Sequence, residues 1–360
     1  MTPSFWNGRR VFLTGHTGFK GAWLSLWLAE LSAKVSGYAL PPAADPNLFE
    51  LGGVEGHLAA SNLADIRDLE SLRRAMRACE PEVVIHMAAQ PLVRESYADP
   101  LGTYSTNVIG TAHLLESVRS LPSVRAVVVV TTDKCYENKE WIWGYREVDR
   151  LGGRDPYSNS KACAELVTAA YRQSFFHSDA SVAAIATARA GNVIGGGDWS
   201  NDRLVPDILR GCFSASGEVR LRNPHSVRPW QHVLEPLRGY LLLAERLASG
   251  QKGYDEGWNF GSDPGDERAV IDVAQAIVSS LGVGKLVIDR DANAPHEATL
   301  LQLDCAKARA RLGWTPKLRF VDTISLTSAW YAAWQQGKDM KAFTRTQIRE
   351  YAALGAVETK

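Results

Sequence analysis

Short apolar runs alternate with longer amphipathic segments along the first 195 residues. Strand-length apolar runs occupy 9–15, 34–40, 57–65, 81–90, 124–133 and 180–195. Between them, apolar positions recur at helical spacing in 19–33, 68–79, 103–120 and 155–175. Strands separated by helix-length connections predict a doubly wound α/β fold, with a parallel sheet covered by helices on both faces.

The alternation ends after Gly195, where the segment GGGDWSNDRL is rich in glycine and aspartate. A short strand at 218–223 and a helix at 235–248 follow, and WNFGS at 258–262 is predicted to return to the main sheet. We therefore predict two units. The first contains 1–192 and about 231–262, and a smaller, mostly C-terminal unit contains 193–230 and 263–360.

Composition limits the kinds of partner. The 360 residues include 40 Lys and Arg against 40 Asp and Glu, so no overall basic field favours nucleic acid or an anionic membrane. Apolar stretches are only strand-length, and MTPSFWNGRR lacks the apolar core of a signal peptide. Five scattered cysteines without a CxxC pair favour a reducing compartment. We expect a cytoplasmic protein with no metal site, no nucleic-acid partner and no membrane partner.

The segment VFLTGHTGFKG places three glycines between the first strand and the first helix. Gly15 permits a tight turn, Gly18 lets the main chain approach a pyrophosphate, and Gly21 allows close packing of helix on strand. The helix N-terminus then offers unpaired N–H groups to the phosphates. This context predicts a Rossmann-type dinucleotide site. The candidate cofactor residues of this loop are Gly15, Thr17, Gly18, Phe19, Lys20 and Gly21.

The ends of the next strands give weaker signals. VSGYALPP has no acidic residue for a ribose hydroxyl and no arginine for a 2′-phosphate, so this position does not choose between NAD and NADP. Asp65, followed by Ile66, could accept a hydrogen bond from the adenine amino group or could cap the following helix. Ala88 and Ala89 are small enough for a flat dinucleotide to pass over them.

Four valines at 127–130 are followed at once by Thr131, Thr132, Asp133 and Lys134. A strand could carry polar groups there simply because it reaches solvent. Open α/β sheets, however, bind ligands at the carboxyl ends of their strands. The polar tip of this buried strand is therefore predicted to carry chemistry.

The segment DPYSNSK predicts the start of a helix, with Asp155 as N-cap and Pro156 as first helical residue. Tyr157 and Lys161 are four residues apart and share one helix face. A tyrosine of pKa about 10 is a poor base at neutral pH. A nearby ammonium, together with an oxidised nicotinamide, would favour the phenolate. A chance YxxxK is common, but the glycine loop and TTD favour a catalytic pair.

Together these residues resemble the extended short-chain dehydrogenase/reductase family, over most of the chain. GHTGFKGAWLSLWL, HMAAQPLVRESY, TTDKCYEN, RAGNVIGGGDW and RPWQHVLEPLRGYL are similar to its CDP-glucose 4,6-dehydratases. The resemblance implies an NAD-dependent lyase that converts CDP-D-glucose to CDP-4-dehydro-6-deoxy-D-glucose and water, with internal hydride return. The first unit would then bind NAD and the second the substrate. It also implies a role in deoxysugar and lipopolysaccharide O-antigen synthesis.

The resemblance assigns roles to individual residues. Tyr157 would remove the 4-hydroxyl proton, Thr132 would hydrogen-bond the 4-oxygen, and Asp133 would protonate the departing 6-hydroxyl. To the cofactor contacts already named it adds Gln90, Asn107, Thr132, Tyr157 and Lys161, and it places Arg94, Asn192, Arg203, Arg228 and His296 at the substrate. It further implies a homo-oligomer, a dimer or tetramer, with a dimer built on the helices at 103–119 and 157–175.

Lys134 is the departure from the wider pattern, because dTDP- and GDP-sugar dehydratases carry a glutamate there, assigned as the base for the C5 proton. A lysine of pKa about 10.4 needs a pKa lowered by roughly three units to act as a base at neutral pH. Alternatively, the Lys134 ammonium stabilises the enolate and another group is the base. Two other functions remain open: an epimerase or reductase of the same family, which leaves Asp133 unexplained, and a non-catalytic NAD-sensing protein, a class that usually loses the tyrosine or the lysine.

Overall fold

The computed structural model describes residues 2–176, 183–288 and 300–354. Within them, seven strands form one parallel sheet in the order β10-β6-β5-β4-β1-β2-β3. The twelve described strands are β1 Arg10–Thr14, β2 Lys34–Ala39, β3 Ala60–Leu63, β4 Val83–His86, β5 Ala126–Val130, β6 Ala184–Ala190, β7 Asn192–Ile194, β8 Glu218–Leu221, β9 Val227–His232, β10 Gly257–Phe260, β11 Glu267–Ala269 and β12 Lys285–Ile288. The order from β3 to β6 is that of a dinucleotide-binding sheet, which confirms the predicted Rossmann-type fold.

Helices connect these strands and cover both faces of the sheet. The described α-helices are α1 Pro3–Trp6, α2 Phe19–Glu30, α3 Leu48–Leu51, α4 Leu69–Cys79, α5 Val93–Ala98, α6 Pro100–Tyr104, α7 Gly110–Arg119, α8 Pro156–Phe175, α9 Leu204–Cys212, α10 Leu234–Ala248, α11 Val270–Leu281, α12 Phe320–Gln335 and α13 Met340–Ala353. Strand β10 pairs in parallel with β6, so the prediction that 258–262 returns to the main sheet is confirmed.

Strand β5 is buried on both faces because its side chains alternate between two cores. Val127 and Val129 belong to the core that includes Leu114 of α7, whereas Val128 and Val130 belong to the core with the α2 and α10 side chains. A fully buried valine contributes roughly 1.5–3 kcal/mol relative to an exposed one. The run of four valines therefore anchors the strand from both sides and fixes where its polar tip emerges.

The sixth predicted strand, 180–195, is divided in two. Strand β6 ends at Ala190, and after Gly191 the chain leaves the main sheet as β7, which pairs with β9 in a three-stranded sheet with β11. A Cβ on Gly191 would lie 3.3 Å from the Asp133 carboxylate, so the chain changes sheets where it passes close to the β5 tip. Sequence periodicity did not reveal this break, because both halves are equally apolar.

The predicted helix at 103–120 contains an irregular segment. Between α6 and α7 the residues Ser105–Ile109 form a π-helical turn with helical backbone on both sides. Such bulges re-aim side chains within a continuous helix and are frequent at functional sites. Here the turn contains the buried Asn107.

All five cysteines are free thiols. In the part of the chain described here, no helix has both the length and the apolar character required to cross a bilayer.

Candidate active site

A cavity of about 1280 Å³ lies at the carboxyl ends of the main-sheet strands, facing the segments that follow β6. Its volume exceeds the upper range of about 1,000 Å³ for a site that holds one drug-sized ligand. The predicted site residues on its wall are Gly15, Thr17, Gly18, Phe19, Lys20, Gly21, Asp65, Ile66, Ala88, Ala89, Arg94, Thr132, Asp133, Lys134, Tyr157, Lys161, Asn192, Arg203 and Arg228. His296 lies outside the described residues. The structure thus brings nineteen predicted residues to one cavity.

The glycine loop has the geometry of a phosphate cradle. Gly15 has φ +78°, and a Cβ there would lie 2.8 Å from the Ala88 nitrogen. A Cβ on Gly21 would lie 2.0 Å from the Gly15 carbonyl oxygen, so helix and loop touch at the backbone. Gly18 is the N-cap of α2 and provides no side-chain cap, which leaves the first N–H groups free for an anion. These residues fit a dinucleotide pyrophosphate.

Asp65 lies on the cavity wall, but Arg67 already holds its carboxylate. The Arg67 Nε lies 3.0 Å from Oδ1 and 2.9 Å from Oδ2, and these hydrogen bonds lower the pKa of Asp65 against the effect of burial. Helix α4 is capped instead by Asp68, whose Oδ1 accepts from the Ser71 N–H at 3.0 Å. The helix-cap alternative for Asp65 is therefore wrong. Its contact with an adenine stays a prediction.

Gln90 and Asn107, predicted as cofactor contacts, do not line the cavity. The Asn107 Oδ1 accepts from the Gln90 N–H at 2.9 Å, and its Nδ2 donates to the Gln90 carbonyl at 3.0 Å. The same Nδ2 donates to Ser160 Oγ of α8 at 2.8 Å. Asn107 thus ties the segment after β4 to the helix that carries Tyr157. These two residues support the cavity wall from behind.

Helix α8 begins as predicted, with Pro156 in its first turn and Asp155 accepting from the Ser158 N–H at 2.9 Å. This start places Tyr157 and Lys161 in the cavity wall, both almost fully buried. Burial raises the pKa of Tyr157 to about 12, although a hydrogen bond with Thr132 lowers it. The expectation that Lys161 and an oxidised nicotinamide together favour the phenolate stays a prediction. Tyr157 is protonated at neutral pH in the chain alone.

Lys161 occupies the floor beneath the tip of β5. Its Nζ donates to the Val130 carbonyl at 3.3 Å. Burial lowers its pKa to about 8, while the carboxylate of Glu165 raises it. The amine therefore remains mostly protonated at neutral pH and can supply a positive charge close to Tyr157.

The tip of β5 separates an acid from an amine by depth. Asp133 is 2% exposed, and its Oδ1 accepts from Thr132 Oγ1 at 3.0 Å. The Lys134 side chain is 32% exposed, with Nζ 3.6 Å from Asp133 Oδ1 and 3.4 Å from Asn192 Oδ1. Asn192 reaches this point because the chain changes sheets at Gly191. A carboxyl group and an amine thus face the same part of the cavity.

Sequence reasoning missed the buried ion pair behind this tip. Glu165 accepts from Thr131 Oγ1 at 2.5 Å and from Arg189 Nε at 3.0 Å and Nη2 at 2.8 Å. The pair links α8 to β5 and β6 directly beneath the cavity. The available signal was position, because Glu165 follows Lys161 by four residues and so shares its helix face.

Sequence reasoning also missed the support of Arg203. Its Nη1 lies 3.0 Å from Oδ2 of the buried Asp198. The main-chain N–H of Asp198 donates to the Tyr331 hydroxyl at 3.0 Å, and that hydroxyl donates to the Asp198 carbonyl at 2.7 Å. Helix α12 thus fixes the loop that presents Arg203. Tyr331 and Asp198 are 133 residues apart in the chain, so no local sequence pattern indicates this link.

The described ranges contain no group of three or more His, Cys, Asp or Glu side chains arranged to hold a metal ion. What the cavity does contain is a dinucleotide cradle, a buried tyrosine beside a lysine, and a carboxyl group with an amine. This set can exchange protons with a ligand held against a redox cofactor.

Comparison with known proteins extends this description. The profile of the family described as GDP-mannose 4,6 dehydratase matches residues 12–327. A CDP-glucose 4,6-dehydratase of Salmonella typhimurium (strain LT2) is 51% identical over 354 residues, covering 98% of each chain. The dTDP-glucose 4,6-dehydratase of Streptomyces venezuelae, solved with NAD bound, superposes with a TM-score of 0.75 at 26% identity, over 91% of this chain and 98% of that one.

A UDP-glucose 4-epimerase of Thermotoga maritima superposes with a TM-score of 0.78 at 22% identity, over 91% of this chain and 99% of that one. At that identity the likeness concerns the fold alone, so it does not separate epimerases from dehydratases. The sequence profile and the 51% identical relative do separate them. The chain belongs to the GDP-mannose 4,6 dehydratase family, within the extended short-chain dehydrogenases/reductases.

Proposed function

We propose that this chain is an NAD-dependent lyase that converts CDP-D-glucose to CDP-4-dehydro-6-deoxy-D-glucose and water. The observation that carries the proposal is the buried Asp133, held by Thr132 at the tip of β5, in the cavity that also contains Tyr157. An epimerase needs no acid at that point, whereas a dehydratase must protonate a departing hydroxyl. The 51% identical relative, itself named a CDP-glucose 4,6-dehydratase, supports the same function.

NAD is the proposed cofactor. The glycine loop and the uncapped N-terminus of α2 fit its pyrophosphate, and the cavity wall continues over Ala88 and Ala89. Relatives solved with NAD bound support this choice. When bound, NAD supplies a reversible hydride acceptor. Its oxidised ring also adds a positive charge that, with Lys161, opposes the burial that raises the pKa of Tyr157.

The chain's own groups then handle protons in a set order. Tyr157 takes the proton of the sugar 4-hydroxyl, and Thr132 holds the 4-oxygen. Oxidation at C4 acidifies the C5 proton, which Lys134 either removes or helps to leave by stabilising the enolate. Asp133 gives its proton to the departing 6-hydroxyl. Asp133 lies deeper in the cavity than Lys134. The carboxyl group would therefore act at C6 of the sugar and the amine at the neighbouring C5.

The remaining assignments concern the whole protein. We propose that 1–192 and about 231–262 form the NAD-binding unit and that 193–230 and 263–360 form the substrate-binding unit. The latter would supply Arg203 and Arg228 to the diphosphate. We also propose a cytoplasmic homodimer acting in deoxysugar and O-antigen synthesis. The dimer is supported by exposed apolar side chains on neighbouring helices, namely Leu101, Ile109, Leu166 and Phe175.

An activity panel tests the function. CDP-, dTDP-, UDP- and GDP-glucose are offered to the NAD-loaded protein, and 4-keto-6-deoxy sugar is detected by its absorbance after base treatment. We expect product from CDP-glucose above all, and deuterium placed at C4 of the substrate should reappear at C6 of the product. Label lost to solvent, or net release of reduced cofactor, would assign the protein to the dehydrogenases instead.

A further inference from the structure

One carboxylate bridges two arginines across the cavity. The Asp202 Oδ1 lies 3.3 Å from Arg94 Nη1 and 3.3 Å from Arg222 Nη2. Arg94 belongs to α5, on the side of the main sheet, whereas Arg222 follows β8 on the opposite side. All three residues line the cavity. We call Asp202 with its two arginines the Asp202 bridge.

The charges of the Asp202 bridge do not balance. Two guanidinium groups share a single carboxylate oxygen. Among the described residues, only Arg222 has a further carboxylate within 4 Å, Asp207 at 3.7 Å. The three side chains are each more than one third exposed, and ion pairs between side chains this exposed contribute little to stability. Another anion can therefore replace Asp202 at little cost. A diphosphate has two charged phosphate groups, and arginine binds phosphate oxygens in a bidentate fork.

The backbone at Asp202 is also unusual. Its φ of +56° lies in the left-handed region, which aspartate and asparagine tolerate better than most residues. The residue immediately precedes Arg203, which Asp198 and Tyr331 hold in place. The Asp202 bridge is thus adjacent to the predicted diphosphate contacts, on a loop whose other end is fixed.

We propose that Asp202 is an internal competitor for the substrate diphosphate, which displaces it from Arg94 and Arg222, and that Arg222 is thereby a further substrate-binding residue. The inference rests on the proposed function only in requiring a ligand with a diphosphate. Asp202 then weakens binding of both substrate and product, and it keeps the two arginines in position while the diphosphate is absent.

The test is the variant Asp202→Asn, which removes the charge and suits the same backbone conformation. With NAD bound, CDP should bind about threefold to tenfold more tightly than to wild type, the range for releasing two half-exposed ion pairs. Cytidine, which lacks the diphosphate, should bind equally well to both. Glu116→Gln, which breaks a similarly exposed ion pair with Arg119 among residues that do not line the cavity, is the control and should leave CDP affinity unchanged. Unchanged or weaker CDP binding in Asp202→Asn would overturn the proposal.

A double-mutant cycle tests the role of Arg222. If Asp202 acts through this arginine, the gain from Asp202→Asn should shrink in an Arg222→Gln background, and additive effects would contradict the bridge. Inorganic pyrophosphate, titrated into the NAD-loaded protein, separates this inference from the choice of nucleotide. Tighter pyrophosphate binding by Asp202→Asn in a protein that does not turn over CDP-glucose would retain the bridge and remove the proposed function. Equal pyrophosphate binding by wild type and variant would remove the bridge.

Discussion

Thr132, Asp133 and Lys134 place a hydroxyl, a carboxyl and an amine on three consecutive residues. They also differ in depth, because Thr132 and Asp133 are buried at the short turn after β5 whereas Lys134 is partly exposed. Consecutive residues can therefore reach different atoms of one ligand. The chemistry of the site depends on this difference as much as on residue type.

Replacing Tyr157 tests the first proton transfer. Tyr157→Phe should reduce kcat with CDP-glucose by about 10²–10⁴-fold, the usual contribution of acid–base catalysis, because no hydroxyl remains to take the proton. Tyr104→Phe is the control, since the Tyr104 hydroxyl also bonds to a side chain of α8, Asn159 at 2.9 Å. Steady-state rates would decide, and near-normal turnover in Tyr157→Phe would exclude its role as base.

Asp133→Asn should separate oxidation from elimination. Asparagine keeps an acceptor for the Thr132 hydroxyl but has no proton to give to the departing oxygen. Reduced cofactor should therefore accumulate on the enzyme after substrate is added, and it can be followed by absorbance. Unslowed dehydration without accumulation would assign the acid to another residue.

Two variants of Lys134 distinguish its possible roles. If its neutral amine is the base, Lys134→Met should nearly abolish exchange of the C5 proton with solvent, and Lys134→Glu should retain appreciable activity. If the ammonium only stabilises the enolate, exchange in Lys134→Met should be slower but measurable, and Lys134→Glu should be inactive. Exchange is read by mass spectrometry in deuterated water. A wild-type exchange rate in Lys134→Met would exclude the base role.

At the scale of single residues, the sequence predicted which side chains come together in the cavity but not their pKa values. Lys161 and an oxidised nicotinamide are expected to favour the Tyr157 phenolate, but the sequence did not indicate that burial raises the pKa of Tyr157 in the chain by itself, because burial depends on the whole wall around the hydroxyl. Asp65 shows the same limit. Its partner Arg67 is two residues away, but only the turn geometry decides that Asp68 rather than Asp65 caps α4.

Among the elements, strands with a strong apolar pattern were predicted well because burial on both faces demands such a pattern. Strand β5 is the clearest case. The break at Gly191 was missed because no strong turn or charge signal in the sequence marks where the chain passes from the main sheet to the smaller one. The π-helical turn was missed because it leaves the helical backbone continuous from α6 into α7.

Glu165 connects secondary-structure elements, because its buried carboxylate holds α8 against β5 and β6. Burial acts to raise its pKa, but Arg189 and two threonine hydroxyls outweigh that effect and lower it. The pKa of Glu165 is lower in the folded protein than the ordinary carboxyl value of about 4.3, so ionised Glu165 stabilises the fold at pH values above that value. This stabilisation is lost as the pH falls through the lower pKa of the folded state.

Glu165→Gln should accordingly cost about 3–5 kcal/mol of unfolding free energy at neutral pH, because Arg189 stays buried without its charge partner. The loss should diminish as the pH falls below about 4, where wild type itself loses the contribution. Denaturant unfolding over a pH series measures both. Glu116→Gln, which breaks only the exposed pair with Arg119, should change stability by less than about 1 kcal/mol. A loss of equal size in both variants would refute the argument.

For the whole molecule, the parallel, doubly wound sheet followed from the alternation of strands and helices, whereas the contacts between distant segments did not. Tyr331 meets Asp198, and Trp330 packs so closely on Gly196 that a Cβ there would lie 1.9 Å from the indole. Neither pair is marked by spacing or composition. Long-range packing of this kind is visible only in three dimensions.

The proposed dimer gives a whole-molecule prediction. Leu166 is exposed on α8, and Leu101 is exposed on α6, which packs beside it. Leu166→Asp places a charge in the centre of this apolar face and should shift the protein toward monomers at micromolar concentration, measured by sedimentation velocity. Val321→Asp, at an exposed position on α12, should leave the mass unchanged. A dimer equally stable in both variants would place the interface elsewhere.

The return of β10 to the main sheet also has a consequence for synthesis on the ribosome. The edge partner of β6 lies at residues 257–260, after β7, β8 and β9 of the two smaller sheets have been translated but before β11 and β12. The glycine loop and its first strands can assemble on the nascent chain early, but the sheet gains its last strand only when residue 260 has left the exit tunnel. The loop carrying Asp198 must wait still longer, for Tyr331. Ribosome-bound chains therefore acquire the parts of a dinucleotide cradle long before they hold a complete substrate cavity.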